Sequence, residues 1–341
     1  MSKCQITATP YEAETTLFKL ENAYLDVQIL DYGATLMSIV YKPLHRETIL
    51  GLRSFQDLLA QPAYLGAAIG RVANRIANGI FSLNGQTYVL PKNGPHTLHG
   101  GKVGFDQRRF NGQILGEQLI LSLISDDGDQ GFPGRVELQI IFELHEASLV
   151  MTTSVISDQD TLCDITQHTY FNLNPDQSEP ITNHHLKLNS DTVYAIEPDG
   201  CTGPHTLKTK GTPFDFSTPK RFGDALDFTN EQIARVKGLD HFYLRRDRSK
   251  DLFCELSVPD LTLRVKTNLP GAHVYSGNYL EPLKNGSDYS FLQPFGGICF
   301  ETMHVPNSIN FDLDEAPILP KNTRVTSMTT YTYTPGGSHE S

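Results

Sequence analysis

Cysteine is sparse in this 341-residue chain: Cys4, Cys163, Cys201, Cys254 and Cys299 are scattered, odd in number and never in a C-x-x-C pair. That argues against a secreted disulfide scaffold and suits a reducing compartment. Cations are also few. Lys and Arg number 28 against 39 Asp and Glu, for a net charge of −11, so no basic surface for nucleic acid is expected. The densest basic group, Arg245-Arg246 with Arg248 and Lys250, reads as a solvated face. No apolar run approaches the ~20 residues of a membrane span. The opening residues, Met1 to Pro10, lack the apolar core of a secretory leader, so a cytoplasmic protein without a membrane partner is expected. Low-complexity tracts, fixed-period repeats and linkers are missing. One domain over residues 1–341 is expected, with a frayed tail from about 335.

Several catalytic signatures are absent too. Gly101-Lys102 is followed by Val103, so no phosphate loop forms, and no G-x-G-x-x-G opens a helix. No G-x-S-x-G elbow offers a serine nucleophile. Cys163 and Cys299 lie in apolar, strand-like runs, where a buried, inert thiol is the default. His96-Thr97-Leu98-His99 has H-x-x-H spacing, but Pro95 and Gly100 flank it and rule out a zinc-binding helix. No metal or cofactor is expected.

What is present is alternation. Arg135 to Ile140, Leu149 to Ile156, Phe253 to Val258, Leu261 to Thr267 and Arg324 to Tyr333 read as strands. Turn signals such as Leu83-Asn84-Gly85 and Pro198-Asp199-Gly200 separate them. Helical patterns are short: Phe55 to Leu59, and Thr229 to Val236 with Thr229 or Asn230 as N-cap. Strands therefore do not alternate with helices. The reading is all-β, a large antiparallel β-sandwich with long loops and few short helices.

Five segments set ionisable residues among glycines and aromatics: Gly70 to Ile76, Thr97 to Gly101, Gln167 to Leu173, Gly238 to His241, and Phe300 to Pro306. Singly, each has a plain structural explanation. Asn74 and Arg75 suit a turn, His99 and His168 suit hydrogen-bonded core histidines, and Asp240 suits a turn. Glu301 resists such a reading, because it follows Ile298-Cys299-Phe300. A carboxylate emerging from an apolar run needs partners or a site.

In this order the segments resemble the aldose 1-epimerase (galactose mutarotase) family. The resemblance starts at Asp31-Tyr32-Gly33-Ala34-Thr35 and runs through Gly131-Phe132-Pro133-Gly134, Gly211 to Phe216 and Tyr275 to Leu280, as far as Glu301-Thr302. It implies a β-supersandwich and an anomer-converting isomerase whose small-molecule substrate is a free sugar such as galactose or glucose. It also implies Glu301 as general base, His168 as general acid, and Asn74, Arg75, His99, Tyr170 and Asp240 as sugar-binding positions. A monomer or homodimer is expected. The chain departs from the family pattern at His273 and Met303, where glutamine is usual.

Opening a cyclic hemiacetal removes the O1 proton and protonates O5, so one base and one acid suffice. Unperturbed values, about 4.3 for Glu and about 6.5 for His, make Glu301 the base. His168 then needs a nearby carboxylate, Asp164 or Glu301, to stay protonated. Rival readings are a carbohydrate-binding module without turnover, a sugar-phosphate mutarotase using Arg71 or Arg109, and a glycosidase using two carboxylates.

Overall fold

The computed structural model describes residues 3–336. All five expected strands form, and all lie in one antiparallel sheet of nine: Asn111–Leu115, Gln118–Ser125, Val136–His145, Ser148–Ser157, Val325–Pro335, Leu261–Thr267, Leu252–Val258, His185–Leu188 and Lys220–Arg221, in that spatial order. The last long strand ends at Pro335, where the tail is expected to begin. Pro335 pairs with Leu261, and the Gly336 N–H donates to the Asp260 carbonyl at 2.8 Å; the rest of the expected tail lies outside the described residues. Two α-helices occur among the described residues, Phe55–Ala60 and Glu231–Val236. Asn230 is the second one's N-cap, accepting from Gln232 and Ile233 N–H. The Asn84-Gly85 hairpin holds both residues at positive φ, 52° and 76°, as its two-residue turn requires.

A second sheet carries the chemistry. Its six strands are ordered Tyr170–Phe171, Ile298–Met303, Gly271–Tyr275, Asp240–Arg245, Ser190–Ile196 and Thr202–Lys208. One face packs on the nine-stranded sheet: Phe171, Ala272, Val274, Ile298, Phe300 and Tyr243 share one core with Leu138, Ile140, Met151, Leu263, Val265 and Tyr331. The Thr302 and Thr329 hydroxyls meet between the sheets at 2.6 Å. Because side chains alternate along a strand, the residues between these core positions point to the opposite face. There they include Asp240, His273, Tyr275, Cys299 and Glu301. Alternation thus explains the carboxylate after an apolar run: Ile298 and Phe300 serve the core, Cys299 and Glu301 the far face. A five-stranded sheet, from Gln5–Pro10 to Arg46–Glu47, adds Val27, Ile29, Leu36 and Ile39 to the same core.

Arg245 departs from the expected solvated face. It is buried and donates to the carbonyls of Thr267, Lys250, Arg248 and Asn268.

Candidate active site

Short ladders tie distant segments onto the outer face of the six-stranded sheet. Arg75–Ile76 pairs with Thr97–Leu98, which sets Asn74 and Arg75 beside His99. Thr166–Gln167 pairs with Ala68–Ile69, and Tyr170 opposes Cys299, which places His168 next to Glu301. The result is a pocket of about 280 Å³ lined by all seven residues expected from the sequence: Asn74, Arg75, His99, His168, Tyr170, Asp240 and Glu301. That volume is at the low end for ligand sites, which run roughly 300–1,000 Å³, and suits a small molecule.

Asn74 and His99 lock each other. Both have positive φ, 59° and 51°. The His99 N–H donates to the Asn74 carbonyl at 3.0 Å, and the Asn74 N–H donates to His99 Nδ1 at 3.2 Å. The Asn74 side chain caps the Arg75 N–H at 2.7 Å. With Nδ1 accepting, His99 carries its hydrogen on Nε2. His96 is fixed the same way: Nδ1 accepts from Asn78 N–H at 3.0 Å, and Nε2 bonds the Asp199 carbonyl at 2.9 Å. Two metal-like groupings exist among the described residues, His96-Asp199-Cys201 and His99-His168-Glu301. Each includes one of these histidines, whose Nε2 hydrogen leaves no lone pair for a metal. The donor sets do not fit a cation.

Glu301 is 2% exposed. Its Oε1 lies 3.7 Å from His168 Nε2, and its Oε2 is buried without a partner. Burial, and then the charge of Asp240, push its carboxyl well above the ordinary range, with Arg75 opposing. Burial pushes His168 down to about 4 and His99 well below its usual value. Burial thus favours the neutral form of each group, a bias opposite to the assignment from unperturbed values. Asp164, one expected support for a charged His168, is elsewhere: it accepts from the His304 backbone N–H at 2.9 Å and meets His304 Nδ1 at 3.0 Å.

Asp240 opens its strand instead of occupying a turn. Burial works against its charge. The 2.6 Å bond from His273 Nε2, together with the charges of His273, Arg75 and His241, outweighs that and holds the carboxyl below its ordinary range. Asn278 anchors the segment before it, donating to Val236 and Leu239 carbonyls at 2.8 and 2.9 Å. The Tyr170 hydroxyl donates to Ala63 at 2.9 Å, so its ring is a wall.

The two other arginines considered do not reach the pocket. Arg71 is buried in the loop beyond, donating to Ser125, Asp126, Pro133 and Gly134. Arg109 pairs with Asp31 at 3.1 Å. Arg75 is the one arginine or lysine of the lining, against two carboxyls, which does not fit a phosphate. Sequence reasoning missed Tyr64, Tyr275 and Tyr279 in the lining. Tyr275 and Tyr279 lay within a quoted motif without a role. Tyr64, whose ring stands 4.7 Å from His99 and 5.8 Å from His168, sits in a loop with no local signal.

The comparisons agree. The family model for aldose 1-epimerase matches residues 16–332. An aldose 1-epimerase of Haemophilus influenzae is 37% identical over 312 residues, covering 88% of this chain and 90% of that protein. A galactose mutarotase of Sus scrofa is 31% identical over 300 residues, 86% of each. A solved galactose 1-epimerase from Lactobacillus acidophilus superposes with a TM-score of 0.86 at 28% identity, covering 99% of this chain and all of that one. Among the described residues no helix is long and apolar enough to cross a membrane.

Proposed function

Because the chain belongs to the aldose 1-epimerase family and is an isomerase of the mutarotase type, we propose that its pocket interconverts the α and β anomers of free aldoses such as galactose and glucose. Glu301 and His168 are the proposed acid/base pair. The observation that carries this reading is the partnerless, buried Oε2 of Glu301 in the pocket lining, with His168 3.7 Å from the other oxygen. A buried oxygen without a donor is costly, and the anomeric O1–H supplies one.

In the proposed cycle, ionised Glu301 takes the O1 proton, C1=O1 forms, the C1–O5 bond breaks, and O5 takes a proton from protonated His168. The open aldehyde rotates about C1–C2 and recloses with the proton movements reversed. Ring opening leaves Glu301 protonated and His168 neutral. These are the forms burial favours, and closure restores the charged pair. In this reading Arg75 and the His99 Nε2–H stabilise charge developing on oxygen. Asn74 and Asp240 bond sugar hydroxyls, with the Tyr170 ring as a wall.

A binding module without turnover is not favoured, since binding alone needs no paired acid and base. The reading includes a single domain, working in the cytoplasm as a monomer or homodimer without nucleic acid. Five buried free thiols agree with a reducing compartment.

The test is polarimetry of fresh α-D-galactose and α-D-glucose, with wild type beside Glu301→Gln and His168→Asn, each with and without a chelator. Accelerated decay of rotation, lost in both variants and indifferent to chelator, is expected. No acceleration on any free aldose would overturn the proposal.

A further inference from the structure

We infer that Cys299 is a positioning residue for the proposed proton pair: its sulfur holds the Nδ1 hydrogen of His168, leaving Nε2 as the nitrogen that exchanges a proton with Glu301 and sugar. The inference rests on the acid/base reading above. It is carried by how one strand brackets one imidazole. In Ile298–Met303, Cys299 and Glu301 are two residues apart and share a face. Cys299 Sγ lies 3.5 Å from Nδ1 and Glu301 Oε1 lies 3.7 Å from Nε2. A single strand thus meets both ring nitrogens.

The ring is confined on its other sides. The His168 N–H donates to the Ala67 carbonyl at 2.9 Å, and its carbonyl accepts from Gly66 N–H at 2.9 Å. Tyr64 and Tyr170 lie against the ring at 5.8 and 5.1 Å, and His99 and Tyr275 meet it edge-on at 5.4 and 6.2 Å. The charged and titratable groups around it are Asp240, His273, Tyr275, Tyr170, Tyr64, His99, Arg75, Glu301 and Cys299. Of these side chains, Cys299 is the one within hydrogen-bonding distance of Nδ1, and the backbone of His168 itself also bonds the ring.

The chemistry of a thiol at this place is specific. Burial, then the charges of Glu301 and Asp240, push the Cys299 thiol well above its usual range, so it stays neutral. Neutral sulfur is a weak acceptor. It orients the imidazole without stabilising the imidazolium, as a carboxylate behind a catalytic histidine does. The proton on Nε2 is therefore held loosely and passes readily to O5. Oriented this way, one tautomer serves both halves of the cycle, since Nδ1 keeps its hydrogen throughout.

The experiment uses the full-length protein with ¹⁵N-labelled histidine. The resonances lost in His168→Asn identify His168. Wild type at neutral pH is expected to show hydrogen on Nδ1; hydrogen on Nε2 would overturn the inference with no Cys299 variant needed. In polarimetry, Cys299→Ala is expected to lower kcat about tenfold, in the range of lost supporting bonds to a reactive group, with KM unchanged. Cys299→Ser, which keeps an acceptor, is expected to recover part of that loss. Cys299→Asp is expected to move the basic limb of the kcat profile up by about 1–3 pH units. A wild-type kcat and pH profile in the alanine variant would mean Cys299 is packing only. Should His168→Asn itself retain the wild-type rate, the acid/base reading fails first, a result distinct from failure of the Cys299 role.

Discussion

Replacing Glu301 by glutamine separates chemistry from stability. The amide matches the carboxyl in shape, so the pocket keeps its walls, but it neither accepts nor returns the O1 proton. A positioned general base contributes roughly 10²–10⁴-fold, about 3–5 kcal/mol of barrier, and the rate in polarimetry should fall by that much. Stability should move differently. Burial and Asp240 raise the Glu301 carboxyl above its value in the unfolded chain. A raised value means that the folded state binds the proton more tightly. Its contribution is complete below the unfolded value, about 4.3, and is lost as pH rises through the folded value. Glutamine cannot ionise, so the variant escapes that loss. Denaturant unfolding at pH 5 and pH 8 should show Glu301→Gln gaining on wild type at the higher pH. A rate loss under about tenfold, below any base contribution of this class, would refute the catalytic half. A variant that loses ground at pH 8 would refute the burial argument.

Other expectations follow from the same packing. Burial holds His168 at about 4, His184 and His241 at about 3, and His99 well below normal. Depressed values mean stability present above the unfolded value, about 6.5, and lost as pH falls toward the folded ones. Unfolding midpoints should drop from pH 6.5 to 4 with a slope approaching about 1.4 kcal/mol per pH unit for each histidine, with His304, whose value is raised by Asp164 against burial, opposing in part. A flat profile would contradict the buried-neutral assignment. Arg71→Met strips the donors from Ser125, Asp126, Pro133 and Gly134. Chemical denaturation should show a loss of about 3–5 kcal/mol, the scale of breaking a buried charged network, while KM of the folded fraction stays as in wild type. Gly100→Ala adds a Cβ 2.0 Å from the Gly70 carbonyl at φ +86°. It should displace His99 and lower kcat/KM for fresh α-galactose well before it unfolds the protein, and an unchanged kcat/KM would show that this loop does not set the site.

Much was legible in local pattern. The long strands of the nine-stranded sheet alternate cleanly, and both short helices carry apolar spacing, with a visible cap at Asn230. All seven residues that the family resemblance implied for the site line one pocket, whereas local pattern alone set only Glu301 apart from a plain structural reading. Failures were of a different kind. Arg245 looked like one of a solvated basic group, yet carbonyls from two loops draw it inside. His273 stood out only as a departure, because its bond to Asp240 crosses between strands 33 residues apart. Tyr64 had no pattern at all.

By itself the sequence determined the class of fold and the residue types of the site, since alternation, turn residues and the types in a segment are properties of neighbours along the chain. The tertiary structure alone decided which arginine reaches the pocket, which nitrogen of His99 accepts a backbone hydrogen bond, and which way burial biases the Glu301 and His168 pair. Each depends on groups brought together from distant segments and on water shut out around them. Desolvation raises one member of that pair and lowers the other, and no local spacing of residues encodes how deeply a side chain is buried.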